Sequence, residues 1–424
     1  MRAFKDQNGV ALPLSLFVLV ALVIALLVFV SMSGMEPQVA SNLSDTTRAR
    51  YAADGGIEWA YDQLLLQWVA PGVNTLLATN TGTMATNMTL PGLPAANGTF
   101  TVTVRNDNLP NDNLITGQPV DVGGPTNDTN NVVILTSTGT YNGITRQIQL
   151  VVTHLDMNIP GALNLPGVGT NTVFSDDSFI VSGNDTNLDD TPGAGTPGCP
   201  ASVWGVSVAN AAIETLVQNS LNAERKQHIV GNKQNPALPG VGDNTIAPDA
   251  SLTPAMIANF VAAVKPYADI TLNASATNRL VYQNIGNTCS SNLNDANCWG
   301  THANPKIVYI KGTLDPAQAF YALTVGGTSS TGAGILIVED GDVSLSGYLH
   351  WEGLIVITGQ YVGLRYTGER PNIYGGVIVN ETANANSEVE FQANANLGIH
   401  HSCQALDNVR NARRMFRASS WREL

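Results

Sequence analysis

The sequence predicts a membrane-anchored α+β chain: a long N-terminal helix, then an antiparallel sheet, then a β-rich C-terminal domain containing a short parallel β-helix. Three observations predict it. Val10 to Val30 is a run of 21 residues without a charge. Segments of alternating apolar and polar residues begin at Thr99. In the last third, short apolar strands return at nearly even spacing.

At 1.5 Å per residue the first run makes a helix about 31 Å long, the thickness of a bilayer's hydrocarbon core. Pro13 lies one turn inside its start, where a missing N–H costs little. The short polar flank before it carries Arg2 and Lys5, a charge pattern that keeps the N-terminus in the cytoplasm and sends the rest across. A secretory signal peptide would have an apolar region of about 7–15 residues and then a small-x-small cleavage site. Here the run is longer, and helical character continues beyond it. From Gln38 to Trp68 apolar residues recur on one helical face, at Val39, Leu43, Ala49, Ala53, Ile57, Tyr61, Leu64, Leu65 and Trp68. Pro37 is expected to kink or briefly break the helix. Gly55 and Gly56 each weaken it by about 1 kcal/mol, so packing must hold this part.

Bulk properties narrow the class. Only 12% of the 424 residues are charged, and the surface chemistry is amide and hydroxyl. A net charge of −13, from 20 basic and 33 acidic residues, argues against a nucleic-acid partner. Five arginines (Arg410, Arg413, Arg414, Arg417, Arg422) fall in the last 15 residues. The four cysteines form no C-x-x-C pair. Cys289 and Cys298 enclose a small Asn/Ser-rich loop suited to a local disulfide in an oxidising compartment, which leaves Cys199 and Cys403 to pair over a long range. The competing reading is a zinc site from Cys289, Cys298 and His302, whose spacing follows no familiar zinc pattern.

Residues 70–100, rich in Thr, Asn and Gly with scattered prolines, read as loop. Strands are expected at Thr99–Val104, Asn131–Thr136 and Gly143–Thr153, joined by Asn/Asp/Gly/Pro-dense turns. An antiparallel sheet packed on the helix is the simplest arrangement. A Gly/Pro/Asn-rich stretch then runs from Leu155 to Ser202. Within it Asp185, Asn187, Asp189 and Asp190 alternate as calcium ligands would, but no glycine pivot or terminal bidentate Glu completes an EF-hand, and a solvated turn is the preferred reading. Two helices follow, Val208 to His228 and a second with Thr253 as N-cap, Pro254 at the first position and Met256, Ile257, Phe260, Val261 and Val264 along one face.

Strands Lys306–Lys311, Gly334–Val338, Gly353–Thr358 and Gly376–Val379 dominate the last third, the last three starting 19 and 23 residues apart. Secondary strands and glycine turns lie between them, at Asp342–Gly347, Gln360–Gly368 and Asn372–Gly375. A period near 20 suggests stacked coils of a parallel β-helix or β-roll, with a β-sandwich as the alternative. A helix-like, arginine-rich segment and Ser419-Ser420-Trp421-Arg422-Glu423 close the chain.

Catalytic constellations are thin. Gly326 to Gly332 lacks the lysine of a P-loop, there is no G-x-S-x-G or H-E-x-x-H, and adjacent His400 and His401 in a strand would point to opposite faces. Glu339, Asp340 and Asp342 around Gly341 read as a turn. The chain is therefore expected not to be an enzyme and to need no cofactor.

Two N-terminal motifs and a C-terminal pattern carry a family resemblance. Lys5-Asp6-Gln7-Asn8-Gly9 followed by Val10-Ala11-Leu12-Pro13-Leu14 resembles the leader and first mature residues of a type IV prepilin. Arg48-Ala49-Arg50-Tyr51-Ala52-Ala53-Asp54-Gly55-Gly56-Ile57-Glu58 resembles the A-x-Y-A-A-E-A-G segment of PilX-type minor pilins. A G-G-x-x-V strand at Gly375–Val379, then Cys403, then a terminal S-W-R-E resembles the C-terminal domain found with such N-termini. The resemblance implies cleavage by a prepilin peptidase between Gly9 and Val10, with the apolar helix kept. It makes Leu14 the fifth mature residue, a position resembling a fixed glutamate in major pilins. Read together with the patterns above, the chain divides into six expected segments: a leader at 1–9, a transmembrane helix at 10–30, an amphipathic continuation at 31–69, a pilin-like β domain at 70–154, a mixed insert with two helices at 155–300, which matches nothing in the resemblance, and a β-rich domain at 301–424. The implied partners are other minor pilins, the pilus assembly platform and inner-membrane lipid. The C-terminal region would be periplasmic before assembly and at the filament tip or cell surface afterwards. The expected function is that of a minor pilin or pseudopilin in assembly of a type IV pilus or related filament. A tip adhesin binding surfaces or glycans is the alternative from a different class, and a membrane-anchored β-helical hydrolase a third.

Overall fold

The computed structural model describes residues 11–68, 72–90, 98–167, 169–196, 198–231, 245–315, 320–368, 371–383, 389–393, 396–410, 412 and 415–424. Residues 1–64, 74–152 and 418–424 form one compact unit, and residues 65–73 and 153–417 a second.

The chain opens with α1 (Ala11–Gln67), which passes through Pro37 without interruption, so the expected break there does not occur. The segment expected to be loop holds α2 (Val73–Ala78) and strand β1 (Thr83–Thr89). Then come β2 (Thr99–Asn106), α3 (Asn113–Thr116), β3 (Val132–Tyr141) and β4 (Ile144–His154). In β2 the burial alternates strictly, with Phe100, Val102, Val104 and Asn106 inward, as a half-buried strand requires. Between β3 and β4 the two-residue turn Asn142-Gly143 has φ of 47° and 80°, the positive pair of a type I′ hairpin. β1 pairs antiparallel with β2, and β2 with β3. β1 escapes a sequence reading because Thr83-Met84-Ala85-Thr86-Asn87-Met88-Thr89 is a mostly exposed edge strand with two register shifts and no apolar alternation.

The second unit runs in short steps between two sheets. Its strands begin with β5 (Gly161–Leu165), β6 (Thr172–Phe174), β7 (Ile180–Ser182) and β8 (Trp204–Val208). Where one helix was expected over 208–228 there are two short ones, α4 (Ala211–Asn219) and α5 (Ala223–Lys226). The physical reason is a second N-cap: Asn222 accepts from Arg225 N–H, as Asn210 does from Ala212 and Ile213. β9 (Ile229–Val230) and β10 (Ile246–Pro248) precede α6 (Pro254–Val264), which is capped by Thr253 as expected. Its buried face is Ile257, Phe260, Val261 and Val264, whereas Met256 is exposed.

From there the strands are β11 (Ile270–Asn273), β12 (Leu280–Gln283), β13 (Lys306–Lys311), β14 (Leu323–Gly326), β15 (Ser330–Glu339) and β16 (Val343–Leu345). β17 (Leu349–Gly359), β18 (Leu364–Tyr366), β19 (Pro371–Glu381), β20 (Phe391–Ala393) and β21 (Gly398–His401) continue the alternation, followed by α7 (Cys403–Arg410). The last strand, β22 (Phe416–Glu423), takes Ser419–Glu423 into the first unit's sheet, whose order is β1-β2-β3-β4-β22.

Among the described residues the strand pairings in the second unit's two large sheets are parallel. One carries β13, β15, β17 and β19, the other β14, β16, β18 and β20, so consecutive strands alternate between them. The register stacks like on like. Val308, Leu336, Ile355, Val377 and Leu163 form one buried row, and Leu323, Val343, Leu364 and Phe391 another across the core. Gly334, Gly353 and Gly375 are in register with φ of 124°, 126° and 129°. The second repeat is thus 22 residues, counted to Gly375 rather than to Gly376. A Cβ at any of the three would lie 2.0–2.2 Å from a carbonyl oxygen of the preceding strand, which restricts the position to glycine.

The boundary expected at residue 300 is not seen. β5 pairs with β19, β6 with β20 and β7 with β21, so residues from the expected insert complete the same sheets as the last third. Short strands of three to five residues in Gly/Pro/Asn-rich sequence carry too little pattern to reveal this.

Candidate functional site

The first unit's distinguishing feature is how α1 is used along its length. From Leu12 to Met32 the described side chains are exposed on every face, Leu14 at 62%. Among the described residues this is the one helix long and apolar enough to cross a membrane. Gly9 and Val10, the expected cleavage pair, lie outside the described residues. Val39 and Leu43, expected on the buried stripe, are also exposed, at 64% and 66%. Burial begins at Ala49 and continues through Ala52, Ala53, Gly56, Ile57, Ala60 and Leu64.

Small residues dominate that face because the sheet comes very close. A Cβ at Gly56 would sit 2.3 Å from Ser137 Oγ and 2.8 Å from Phe100 Cδ2. From the sheet side, a Cβ at Gly139 would sit 2.1 Å from the Ala49 carbonyl oxygen and 2.2 Å from Ala53 N. Ala49, Ala52, Ala53 and Gly56 therefore form a contact surface of minimal bulk. Its charged neighbours flank the seam: the Arg48 guanidinium donates to Tyr141 Oη and lies 5.0 Å from that ring's centre. Arg50 reaches Glu423 at 3.4 Å and lies 5.8 Å from the Trp421 ring centre, which gives the terminal Ser420-Trp421-Arg422-Glu423 a role in the same unit.

The loops of this unit hold a group of aspartates that the sequence reading took only as turns. Asp112 accepts two bonds from Arg105, at 2.6 and 2.8 Å. Burial would raise its carboxyl, but the guanidinium and the Leu109 N–H hold it below the usual value. Asp121 is likewise held low against burial by Thr129 N–H at 2.6 Å and the neighbouring Gly123 and Asn130 N–H groups. Asp107, fully buried, is pushed up by burial, against the Asn130 amide and with the Asp121 charge. Burial pushes Asp128 up to about 6.

The second unit separates most of the candidate ligands. Asp185 accepts from the N–H groups of Gly195 and Cys403, Asp189 from Thr191, and Asp190 from the Tyr374 hydroxyl, while Asn187 donates to Thr191. Asn187 and Asp189 thus share Thr191, while Asp185 and Asp190 turn to other partners. Cys289 is bonded to Cys298 and Cys199 to Cys403. This removes both thiols from the zinc reading, and His302 turns instead to Glu352 at 2.9 Å. Glu352 also meets His350 at 3.2 Å; burial works against its charge, and the two imidazoles outweigh it and hold its carboxyl low. Glu339 and Asp340 pair with lysines, Glu339 with Lys265 at 3.1 Å and Asp340 with Lys311. Gly326 to Gly332 leads into β15, not into a helix. His400 stacks on Tyr374 while His401 is buried beside the Cys199–Cys403 bridge, the opposite-face placement expected for neighbours in a strand.

No family model matches the chain, and no curated protein matches it. Among solved structures it is similar to the crystal structure of the competence-associated pilin ComZ from Thermus thermophilus, at 12% identity over 90% of this chain and 97% of that one, with a TM-score of 0.25. A likeness of that size carries no argument here, and the functional reading rests on the chain's own residues.

Proposed function

We propose that the chain is a minor pilin or pseudopilin with a structural, non-enzymatic role in assembling a type IV pilus or related filament. The observation that carries the reading is the division of α1. Its first part is apolar and exposed on all faces, and its second part seats a strip of alanine and glycine on a sheet. A helix exposed in this way needs lipid or other apolar helices around it. The prepilin-like residues Lys5 to Leu14 and the Arg48–Glu58 segment fall at the two places such a subunit requires. In this reading a prepilin peptidase cuts between Gly9 and Val10. The helix holds the subunit in the inner membrane with both compact units on the periplasmic side. Other minor pilins and the assembly platform are its partners. The stack of parallel strands is a short parallel β-helix carried as the exposed head.

We place the subunit at or near the filament tip. Leu14 cannot supply the carboxylate that would neutralise a neighbouring subunit's N-terminal amine, and an unpaired charge in an apolar filament core costs several kcal/mol. An end position has no such neighbour to satisfy. N-terminal sequencing of the mature protein tests the processing step, and a start at Met1 or beyond Val30 removes the pilin reading. Immunogold labelling of sheared filaments tests the position: label at filament ends is expected, and label along the shaft defeats the tip placement.

A further inference from the structure

Cys199, His401 and Cys403 bring three soft-metal donors together in the second unit, all buried and with their ligand atoms within 4.8 Å of one another. The sequence hides this set, because Cys199 is about two hundred residues from the His401-x-Cys403 pair. His401 Nε2 lies 3.6 Å from both sulfurs. Two ligands on one zinc ion, with bonds of about 2.3 Å to sulfur and 2.05 Å to nitrogen at a tetrahedral angle, are themselves about 3.5 Å apart. In the bridged chain the imidazole nitrogen stands at that separation from each sulfur, and the two sulfurs must part before both can bind one ion. The Pro200 carbonyl oxygen faces the same cluster, accepting from His401 Nε2–H at 3.1 Å and lying 3.4 Å from Cys403 Sγ. Nδ1 of His401 has no hydrogen-bond partner among the described residues, so the ring's polar contacts are made through the nitrogen that faces this cluster.

Hydrogen bonds hold the Cys403 end of this set. Cys403 is the first residue of α7, and its N–H donates to Asp185 Oδ1 at 2.8 Å. The other oxygen of that carboxylate accepts from Gly195 N–H at 2.9 Å. A cysteine at a helix N-terminus favours its thiolate, the form that binds metal. A disulfide by itself has no need of a buried imidazole equidistant from its two sulfurs.

We propose that Cys199, His401 and Cys403 form a redox-gated site for a zinc-class ion, with the Pro200 carbonyl or a water as fourth ligand. In the oxidised chain the Cys199–Cys403 bond closes the site. A dithiol reductant breaks that S–S bond, supplying two electrons and two protons and becoming a cyclic disulfide itself. The two thiols then release two protons as they bind one divalent ion. Bridge and ion tie the 185–203 segment to the start of α7 by the same residues, so this part of the head stays closed in either redox state.

Cobalt(II) is the probe. The full chain in detergent is reduced anaerobically with a phosphine, desalted, checked for four thiols and titrated. One equivalent of cobalt is expected to give thiolate-to-cobalt charge-transfer absorption and tetrahedral d–d bands, displaced by zinc and absent from the oxidised chain. The signal persists in the Cys289→Ser/Cys298→Ser variant and disappears in Cys199→Ser/Cys403→Ser. His401→Gln still forms the Cys199–Cys403 disulfide but binds cobalt at least about tenfold more weakly, since even outer-shell partners of a metal ligand are worth that much. The proposal is overturned by a reduced chain with four counted thiols and no charge-transfer band, folded or not. It is equally overturned by a band that follows Cys289 and Cys298, or by one that His401→Gln leaves unchanged.

Discussion

Gly139 in β3 and Ala49 in α1 approach so closely that a Cβ on the glycine would lie 2.1 Å from the alanine's carbonyl oxygen. No side-chain rotation relieves a clash with backbone. Gly139→Ala is therefore expected to destabilise the first unit by about 2–3 kcal/mol, the upper part of the range for overpacking. Gly56→Ala is expected to cost about 1–2 kcal/mol, because Ser137 Oγ and the Phe100 ring can each give a little. Gly55→Ala is the contrast: its new Cβ meets only the flexible Leu90 side chain, and the gain of about 0.5–1 kcal/mol in helix propensity offsets that contact. Chemical denaturation of the detergent-solubilised chain should rank them Gly139, Gly56, Gly55, and a Gly55→Ala cost equal to that of Gly139→Ala would contradict this seam.

Much of this first unit was legible because its signals are local. A charge-free run of 21 residues, alternation in Thr99–Val104 and the apolar pattern of Gly143–Thr153 each specify one element without help from the rest of the chain. What stayed hidden depends on distant partners. β22 is a polar strand, Phe416–Glu423, whose identity comes only from the edge it joins. Likewise β5, β6 and β7 are strands because β19, β20 and β21 offer matching edges. Val39 and Leu43 fit the helical period of the buried stripe yet are exposed, since periodicity marks a face but not where a covering sheet begins. The paired cysteines were readable from spacing and compartment; His401 beside one pair was not, because nothing in sequence distance predicts it.

The two disulfides should differ in worth. Cys289–Cys298 closes 9 residues and Cys199–Cys403 closes 204. On the chain-entropy account, removing the short bridge by double serine substitution costs about 2–3 kcal/mol and removing the long one about 5 kcal/mol. Thermal melts of the two oxidised variants against the parent chain check the order. Mass spectrometry under non-reducing alkylation checks the starting point, where free thiols at Cys289 and Cys298 would count against the first bridge.

Arg410 gathers the end of α7 into the second unit. Its side chain is 12% exposed, its Nε donates to Asp156 at 2.8 Å and one terminal nitrogen donates to the Gly198 carbonyl at 2.9 Å. Arg410→Ala leaves the Asp156 carboxylate without its cation in a half-buried place, and a loss of about 2–4 kcal/mol is expected, somewhat under that for a fully buried pair. Arg410→Lys should recover little, because a single ammonium cannot serve both acceptors with the guanidinium's fork geometry. A lysine variant with parental stability would show that the fork is not what matters.

Acid should stabilise part of the first unit before it harms it. Asp128 Oδ1 accepts from the N–H groups of Asn130 and Val132, at 3.2 and 3.3 Å, while Oδ2 is buried with no partner among the described residues. Burial raises the folded carboxyl to about 6, against an ordinary aspartate's 3.8. Between those two values the folded state holds a proton that the unfolded state has lost. Stability therefore falls as pH rises from about 4 to 6 and levels off above 6. Asp107 acts in the same direction, pushed up by burial, against Asn130 and with Asp121. Asp112 and Asp121 act oppositely: their folded carboxyls lie low, so their contribution is present above about pH 4 and lost as pH falls through the folded values. The two effects occupy different windows and can be separated. Asp128→Asn keeps the acceptor for Asn130 and Val132 but has no charge to bury. It is expected to stabilise the unit at pH 7–8 by about 1–2 kcal/mol after allowance for solvent screening, and to change little at pH 4. Melting the parent and variant chains at intervals from pH 4 to 8 gives two curves that meet at the acid end and diverge towards neutrality. Parallel curves across that range would mean that Asp128 titrates like an ordinary exposed carboxylate.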